Sequence, residues 1–184
     1  VAEFKVGDKV FGTTTGLRYG ANAEYVCVPE KSKQGVLGLM PVDATYEEAA
    51  ALPVGGMTAL YILKKVDLHA GDKILVYGAS GSVGSYAVQL AKQVYGAEVT
   101  GVCSTRNIEL VKSLGADEVI DYKKQDIQEL GNTYDVVFDA VAKLTASGAK
   151  TLMNEDGKLL TVRNPTRETA ENLSAIKTLF EAGK

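Results

Sequence analysis

The chain has 184 residues, of which 46% are hydrophobic and 23% are charged, which is enough for a buried core and one or two domains. A formal net charge of −3 argues against nucleic acid or an anionic membrane as the main partner. We find no apolar run near the roughly 18 residues of a membrane span and no signal peptide, which predicts a cytoplasmic protein.

Residues 1 to 44 are predicted to form a small β-rich domain. Residues 9–13 and 23–28 have strand-like patterns with glycines between them. Thr45 is expected to cap a helix, since threonine is a common N-cap residue. Glu47 and Glu48 follow in the first turn, where carboxylates interact favourably with the helix dipole. The segment 53–56, Pro-Val-Gly-Gly, is predicted to break this helix, and residues 57–66 to form a second one.

Residues 45–184 are predicted to form a larger domain in which strands and helices alternate. The predicted strands are 73–77, 98–103, 118–121, 134–138 and 157–162. The predicted helices are 82–95, 106–114, 124–130, 143–153 and 170–182. Alternation of this kind predicts an α/β fold, a doubly wound parallel sheet with helices on both faces. We also expect segments to be absent at both ends of the chain.

The most informative segment is the glycine-rich turn after the first strand of this series. It runs Gly-Ala-Ser-Gly-Ser-Val-Gly over residues 78–84 and opens an amphipathic helix, with another apolar strand beyond. Strand, glycine turn, helix and strand in about thirty residues form a Rossmann-type dinucleotide-binding unit. Gly81 would let the backbone approach a pyrophosphate, and Gly84 would let the helix pack close to the strand. The predicted cofactor-binding residues of the turn are Ala79, Ser80, Gly81, Ser82, Val83 and Gly84.

The end of the second strand predicts which nicotinamide cofactor binds. Units that bind NAD place an Asp or Glu there, about 20 residues past the turn, to accept the ribose hydroxyls. This chain has Ser104, Thr105 and Arg106 instead. Two hydroxyls and a guanidinium can hold a 2′-phosphate by charge-assisted hydrogen bonds, which favours NADPH. The alternative is that Arg106 is a solvated residue at the start of a helix.

A metal site is not expected. Cys27 and Cys103 lie far apart in apolar runs and are interpreted as small buried hydrophobic residues, and His69 as a solvated turn residue. No spacing typical of zinc ligands is present.

Several short motifs occur together and in order. They are FKVGDKVFG at 4–12, GANAEY at 20–25, EEAAALP at 47–53, GGMTA at 55–59, the glycine turn at 78–84, LGAD at 114–117 and DVVFD at 135–139. In this combination the chain resembles the medium-chain dehydrogenase/reductase superfamily, of the zinc-independent quinone oxidoreductase type. The resemblance implies a partial GroES-like β domain before the Rossmann domain.

The resemblance also implies further roles around the cofactor. The positions it assigns to cofactor binding outside the two loops are Thr58, Tyr122, Ala140, Val141 and Arg163. An equal alternative for Tyr122 is a surface aromatic at a strand end, and Asp139 is interpreted as a structural residue that holds its loop through backbone N–H groups. Val54 stands where zinc-dependent relatives carry a cysteine ligand. The short connection after Val162 puts the family's usual homodimer in doubt.

The resulting hypothesis is an NADPH-dependent reductase of a quinone or an activated α,β-unsaturated carbonyl compound. An alcohol dehydrogenase acting on ketones is the alternative within enzymes, and a nucleotide-binding redox sensor or scaffold is the alternative from another class. No His, Cys or Lys stands in a motif suited to acid–base catalysis, so the sequence assigns no catalytic side chain.

Overall fold

The structure is a computed structural model and describes residues 3–15, 23–30 and 35–184. The chain forms two compact units, Val1–Met57 with Arg167–Gly183, and Thr58–Thr166. The domain boundary predicted between residues 44 and 45 stays a prediction.

The first unit contains a small antiparallel ladder, one whole helix and the first part of another. Strand β1 (Val10–Gly12) pairs with β2 (Leu37–Leu39), and helix α5 (Ala170–Glu181) packs against β2. The Glu168 carboxylate accepts hydrogen bonds from the hydroxyls of Thr13 at 2.7 Å and Thr15 at 2.8 Å. This carboxylate therefore joins the end of β1 to the start of α5.

Helix α1 (Tyr46–Leu63) is a single helix that begins as predicted and does not break where expected. Thr45 and Glu48 form a reciprocal cap, in which each side chain accepts from the other's backbone N–H. Pro53 lies inside the helix, so the predicted break was wrong. Leu52 and Met57 are buried on either side of Pro53. The free energy gained by burying these side chains compensates for the backbone hydrogen bond that proline cannot form.

The predicted strand at residues 23–28 was also wrong, since these residues form no strand in the structure. An alternating pattern becomes a strand only where a neighbour supplies backbone partners, and none of the described strands pairs with this segment. Cys27 is exposed, which corrects the prediction of a buried residue, whereas Cys103 is buried as predicted. Residues 20–22 of the GANAEY motif lie outside the described residues.

The second unit is built on a five-stranded parallel sheet, as predicted. Its strands are β3 (Lys73–Tyr77), β4 (Glu98–Cys103), β5 (Glu118–Asp121), β6 (Tyr134–Asp139) and β7 (Met153–Thr161), in the order β5-β4-β3-β6-β7. The chain winds outward from β3 first to one side and then to the other. The carboxyl ends of β3 and β6 therefore flank the topological switch point, where sheets of this kind bind ligands.

Helices and turns join these strands. They are α2 (Ser82–Gln93), a 3-10 turn (Thr105–Asn107) that leads into α3 (Ile108–Ser113), a second 3-10 turn (Ile127–Glu129) and α4 (Ala146–Thr151). The helix predicted at 124–130 is reduced to this second turn, which Asp126 caps. Strand β7 begins at Met153, four residues before its predicted start at 157, with an irregular register between Tyr134 and Val136 of β6.

Apolar residues cover both faces of the sheet. One face carries a cluster formed by Leu75, Val102, Ile120, Ile127, Tyr134, Val137 and Leu152. On the other face, α2 packs against β3 and β4 with Ala87 and Val88 fully buried. Within the described ranges, no helix combines the length and the hydropathy needed to cross a membrane.

Candidate functional site

The glycine turn leaves the central strand in a fixed geometry. The N–H groups of Gly78 and Ala79 both donate to the Val102 carbonyl, at 3.1 and 3.0 Å. Gly78 has φ +86°, in the left-handed region, and a Cβ there would lie 2.5 Å from a methyl group of Val141. The Gly81 N–H then donates to the Gly78 carbonyl at 3.0 Å and closes the turn. Ala79 is fully buried beneath it.

Gly84 provides the close approach of helix to strand that the sequence predicted. A Cβ at this position would lie 2.1 Å from the Gly78 carbonyl oxygen and 2.9 Å from the Ala79 Cα. Both are backbone atoms, which cannot rotate away as a side chain could. Glycine is therefore required here for α2 to start directly above the turn.

Gly81 lies in a different environment. It has φ −81°, which any residue adopts, so a side chain here would not force an unfavourable dihedral angle. A Cβ would meet only the Gly78 carbonyl oxygen, at an ordinary 3.4 Å. Gly81 and Ser82 are exposed. The backbone here thus faces open space that a ligand could occupy, and a side chain would fill that space.

The N-terminus of α2 is directed at the same space. Gly81 is the N-cap residue, and no side chain among the described residues caps the helix. The first N–H groups of a helix lack intrahelical acceptors and carry its positive dipole end. The N–H groups of Ser82, Val83 and Gly84 can therefore bind phosphate oxygens.

A second group of polar residues follows β4, the neighbour of β3. The Asn107 amide nitrogen donates to Ser80 Oγ at 2.9 Å and to Ser104 Oγ at 3.4 Å, which joins this loop to the glycine turn. Arg106 is exposed, and no hydrogen bond or ion pair ties its guanidinium to the described residues. The guanidinium is thus available to an anion from solvent.

Thr105 has a partner that the sequence did not reveal. Its hydroxyl donates to the Asp121 carboxylate at 2.5 Å, and the Lys123 N–H donates to the other carboxylate oxygen at 3.0 Å. Asp121 is 5% exposed. The Thr105 proton is therefore committed within the protein, and only its oxygen remains to accept.

The hydrogen bond from Thr105 holds the pKa of Asp121 below its ordinary value, with a further contribution from the Lys123 N–H. A depressed pKa in the folded state adds stability above the ordinary pKa of about 3.9, and this stability is lost as the pH falls through the folded value. We therefore expect the thermal midpoint of the wild type to fall relative to Asp121→Asn as the pH drops from about 5 to 2. Melting curves of both proteins at several pH values in this range test the prediction. A difference between the two thermal midpoints that does not change with pH would contradict it.

The ends of β6 and β7 are held together at the same sheet edge. Asp139 is buried and accepts from the N–H groups of Val141 at 3.2 Å and Leu144 at 2.9 Å, which confirms its predicted structural role. The Arg163 guanidinium donates to the Ala142 carbonyl at 2.5 Å. Ala140 is half-buried and Val141 is exposed. Ala140, Val141 and Arg163 thus lie beside the glycine turn at the carboxyl edge of β3, β6 and β7.

Two more predicted residues lie elsewhere. Tyr122 is 52% exposed at the end of β5 and, with Tyr77 and Lys123, lines a cavity of about 430 Å³. Burial and the nearby Asp139 carboxylate raise the pKa of Tyr77 above its ordinary value, so its phenol stays protonated at neutral pH. Thr58 is half-buried within α1, and its binding role stays a prediction.

Sequence reasoning missed Asn107 and Asp121. Asn107 lies inside the predicted helix 106–114 and Asp121 ends the predicted strand 118–121, and neither was assigned a role. Asn side chains in short turns often form hydrogen bonds within the loop, so Asn107 in the turn Thr105–Asn107 could have been noticed. Its partner Ser80 could not have been found from the sequence, because it lies 27 residues away in the chain.

These features together define a class of protein. A parallel sheet of order β5-β4-β3-β6-β7, with a glycine turn and an uncapped helix N-terminus at its switch point, has the architecture of the Rossmann-type fold. Residues 82–181 match the family model described as zinc-binding dehydrogenase, and the chain belongs to that family. It is a quinone oxidoreductase-like member of the medium-chain dehydrogenase/reductase superfamily, as the sequence motifs predicted.

Named relatives agree with this placement. A chloroplastic NADPH-dependent alkenal/one oxidoreductase of Arabidopsis thaliana is 40% identical over 167 residues, which cover 87% of this chain and 42% of that protein. A chloroplast envelope quinone oxidoreductase homolog of Arabidopsis thaliana is 43% identical over 173 residues, covering 88% and 51%. The structure of a quinone oxidoreductase from Coxiella burnetii superimposes with a TM-score of 0.66 at 25% identity, covering 82% and 56%. The chain thus spans about half the length of these relatives.

The family description names zinc, whereas the sequence predicts zinc independence. In residues 3–15, 23–30 and 35–184, no three His, Cys, Asp or Glu residues lie together in a way that could hold a metal ion. Val54, which the resemblance places where zinc-dependent members of the superfamily carry a cysteine ligand, is 62% exposed. Zinc independence of the protein stays a prediction.

Proposed function

We propose that this chain binds NADPH and forms the cofactor-binding part of a reductase that acts on a quinone or an activated α,β-unsaturated carbonyl compound. The observation that carries the proposal is the donor set at the carboxyl edge of β3 and β4. It combines open backbone at Gly81, the uncapped N-terminus of α2 and the unpaired Arg106 guanidinium. The names of the relatives, an NADPH-dependent alkenal/one oxidoreductase and a quinone oxidoreductase homolog, support the substrate class.

The residues present fit a dinucleotide. The N–H groups of Ser82, Val83 and Gly84 would hold the pyrophosphate, and Ser80, Ser104 and Arg106 the 2′-phosphate of the adenosine ribose. Ala140, Val141 and Arg163 would flank the nicotinamide side, and Tyr122 the adenosine side. When bound, the reduced nicotinamide supplies a hydride to the substrate, and the protein's part is to orient both partners and exclude water. The site is proposed to work without zinc.

Hydride transfer tests this function directly. The full-length protein, with a chelator present, is expected to oxidise NADPH in the presence of members of a panel of quinones and enones. Consumption with simple ketones alone would favour an alcohol dehydrogenase. Cofactor binding without turnover on any of these substrates would favour a sensor or scaffold and would contradict the proposal.

A cytoplasmic location and a homodimer also remain proposals.

Arg106 is expected to provide much of the preference for NADPH over NADH. Arg106→Ala should cost about 1–3 kcal/mol of NADPH binding free energy, because a charge-assisted hydrogen bond to the 2′-phosphate is lost, and should leave NADH binding nearly unchanged. Titration calorimetry with both cofactors measures this. Arg167→Ala removes the same charge from an exposed position outside the Rossmann unit and serves as the control. Equal affinity of the wild type for the two cofactors would contradict the prediction.

A further inference from the structure

The side chain of Asn107 connects two loops that leave neighbouring strands. It donates to Ser80 Oγ, three residues beyond β3, and to Ser104 Oγ, directly after β4. Asn107 and both serines are half-buried, so the three side chains are accessible from solvent yet held in place. Asn107 thereby fixes the spacing between the two serine hydroxyls.

The direction of these hydrogen bonds determines what the serines can do. A hydroxyl has one proton to donate and two lone pairs that accept. Because the Asn107 amide uses an acceptor position on each serine, the proton of each serine remains available for another partner. A ligand with acceptor oxygens at this place would therefore receive two hydrogen bonds from Ser80 and Ser104.

The hydroxyl of Thr105, the next residue after Ser104, is a donor within the protein. The Thr105 proton is donated to buried Asp121, so Thr105 has no proton for a ligand. The loop predicted to bind through the hydroxyls of Ser104 and Thr105 thus presents the hydroxyl of Ser104, next to that of Ser80 from the glycine turn. Exposed Arg106 lies two residues beyond Ser104. Two oriented donors and a cation suit a phosphomonoester, which carries about −1.5 to −2 charges and three acceptor oxygens.

We propose that Asn107 is a positioning residue that selects a 2′-phosphorylated nucleotide by holding Ser80 and Ser104 as donors. This inference rests on the proposed function, since it concerns the same cofactor site. A free ribose 2′-hydroxyl gains much less from this arrangement, because it is uncharged and itself carries a proton. Asn107 therefore acts on the choice between phosphorylated and unphosphorylated nucleotides more than on nucleotide binding in general.

Two variants separate positioning from simple packing. Asn107→Asp keeps the shape of the side chain but replaces the donor with a carboxylate, which would accept the serine protons and repel a phosphate. Asn107→Ala removes the link without adding charge. Asn132→Asp makes the same charge change at an exposed position before β6, at the opposite edge of the sheet, and is the matched control.

The test is calorimetric binding of 2′,5′-ADP and 5′-AMP, which differ only in the 2′-phosphate, with melting curves to establish folding. We expect Asn107→Asp to weaken 2′,5′-ADP binding about 10- to 100-fold and Asn107→Ala about 3- to 10-fold. Binding of 5′-AMP should change less than about 3-fold in both, and Asn132→Asp should match the wild type.

The outcomes distinguish the inference from the function on which it rests. If the wild type binds 2′,5′-ADP but both Asn107 variants keep its preference over 5′-AMP, or lose the two nucleotides equally, the positioning role is wrong and the proposed function stands. If the wild type binds neither these nucleotides nor NADPH, the proposed function fails, and the inference fails with it.

Discussion

Gly84→Val is expected to lower the free energy of unfolding by about 3 kcal/mol or more. The new Cβ would lie 2.1 Å from the Gly78 carbonyl oxygen, and overpacking against backbone cannot be relieved by a change of rotamer. The start of α2 must therefore move away from the turn. Because natural domains are stable by about 5–15 kcal/mol, such a loss is a large fraction of the total. Urea unfolding curves measure it.

The same substitution three residues earlier is the control. At Gly81 the new Cβ meets a single backbone oxygen, at 3.4 Å, and the backbone angle suits any residue. The free energy of unfolding of Gly81→Val should therefore lie within about 1 kcal/mol of the wild-type value. If the two variants lost equal stability, the close approach of helix to turn at Gly84 would not be the cause.

Gly81→Val is expected to abolish NADPH binding while the protein stays folded. The valine side chain would occupy the open space in front of the N-terminus of α2, where the pyrophosphate is proposed to lie. Losing two charge-assisted hydrogen bonds corresponds to a decrease in affinity of about 100-fold or more. Fluorescence or calorimetric titration with NADPH measures the loss.

Gly81→Asp gives a sharper form of this test. An aspartate at the N-cap can accept from the N–H of Val83 or Gly84, which should stabilise α2 by about 0.3 kcal/mol relative to glycine. The attraction of its charge to the helix dipole should add about 0.3–1 kcal/mol. The same carboxylate would take the donors proposed for the pyrophosphate and repel its charge. A higher melting temperature with lost NADPH binding is therefore expected. Wild-type affinity in either Gly81 variant would show that the turn does not hold the phosphates.

The sequence predicted the Rossmann unit closely. The limits predicted for β3, β4 and β5 agree with the structure, and those of β6, α2 and α5 within one or two residues. In these elements hydrophobic residues recur about every two residues in strands or every 3.6 in helices, and glycine turns separate the elements. This local pattern is enough to predict where each element begins and ends. The role of Asp139 was also predictable, because its partners Val141 and Leu144 lie two and five residues away.

The errors occurred where an element depends on distant neighbours. Pro53 breaks an isolated helix, but burial on both sides keeps α1 continuous. Residues 23–28 alternate like a strand, yet no described strand pairs with them. The helix expected at 124–130 shortened to a turn, because so short a segment gains little from its own propensity.

By itself, the sequence determined the fold class, the glycine turn and the family, because each is visible in short segments of consecutive residues and in their order along the chain. Only the tertiary structure decided where the hydroxyl protons of the candidate site go. Thr105 meets Asp121 across 16 residues and Asn107 meets Ser80 across 27, since parallel strands bring their carboxyl ends to one edge. A hydroxyl can donate or accept, and its direction is set by the neighbour that the fold places beside it.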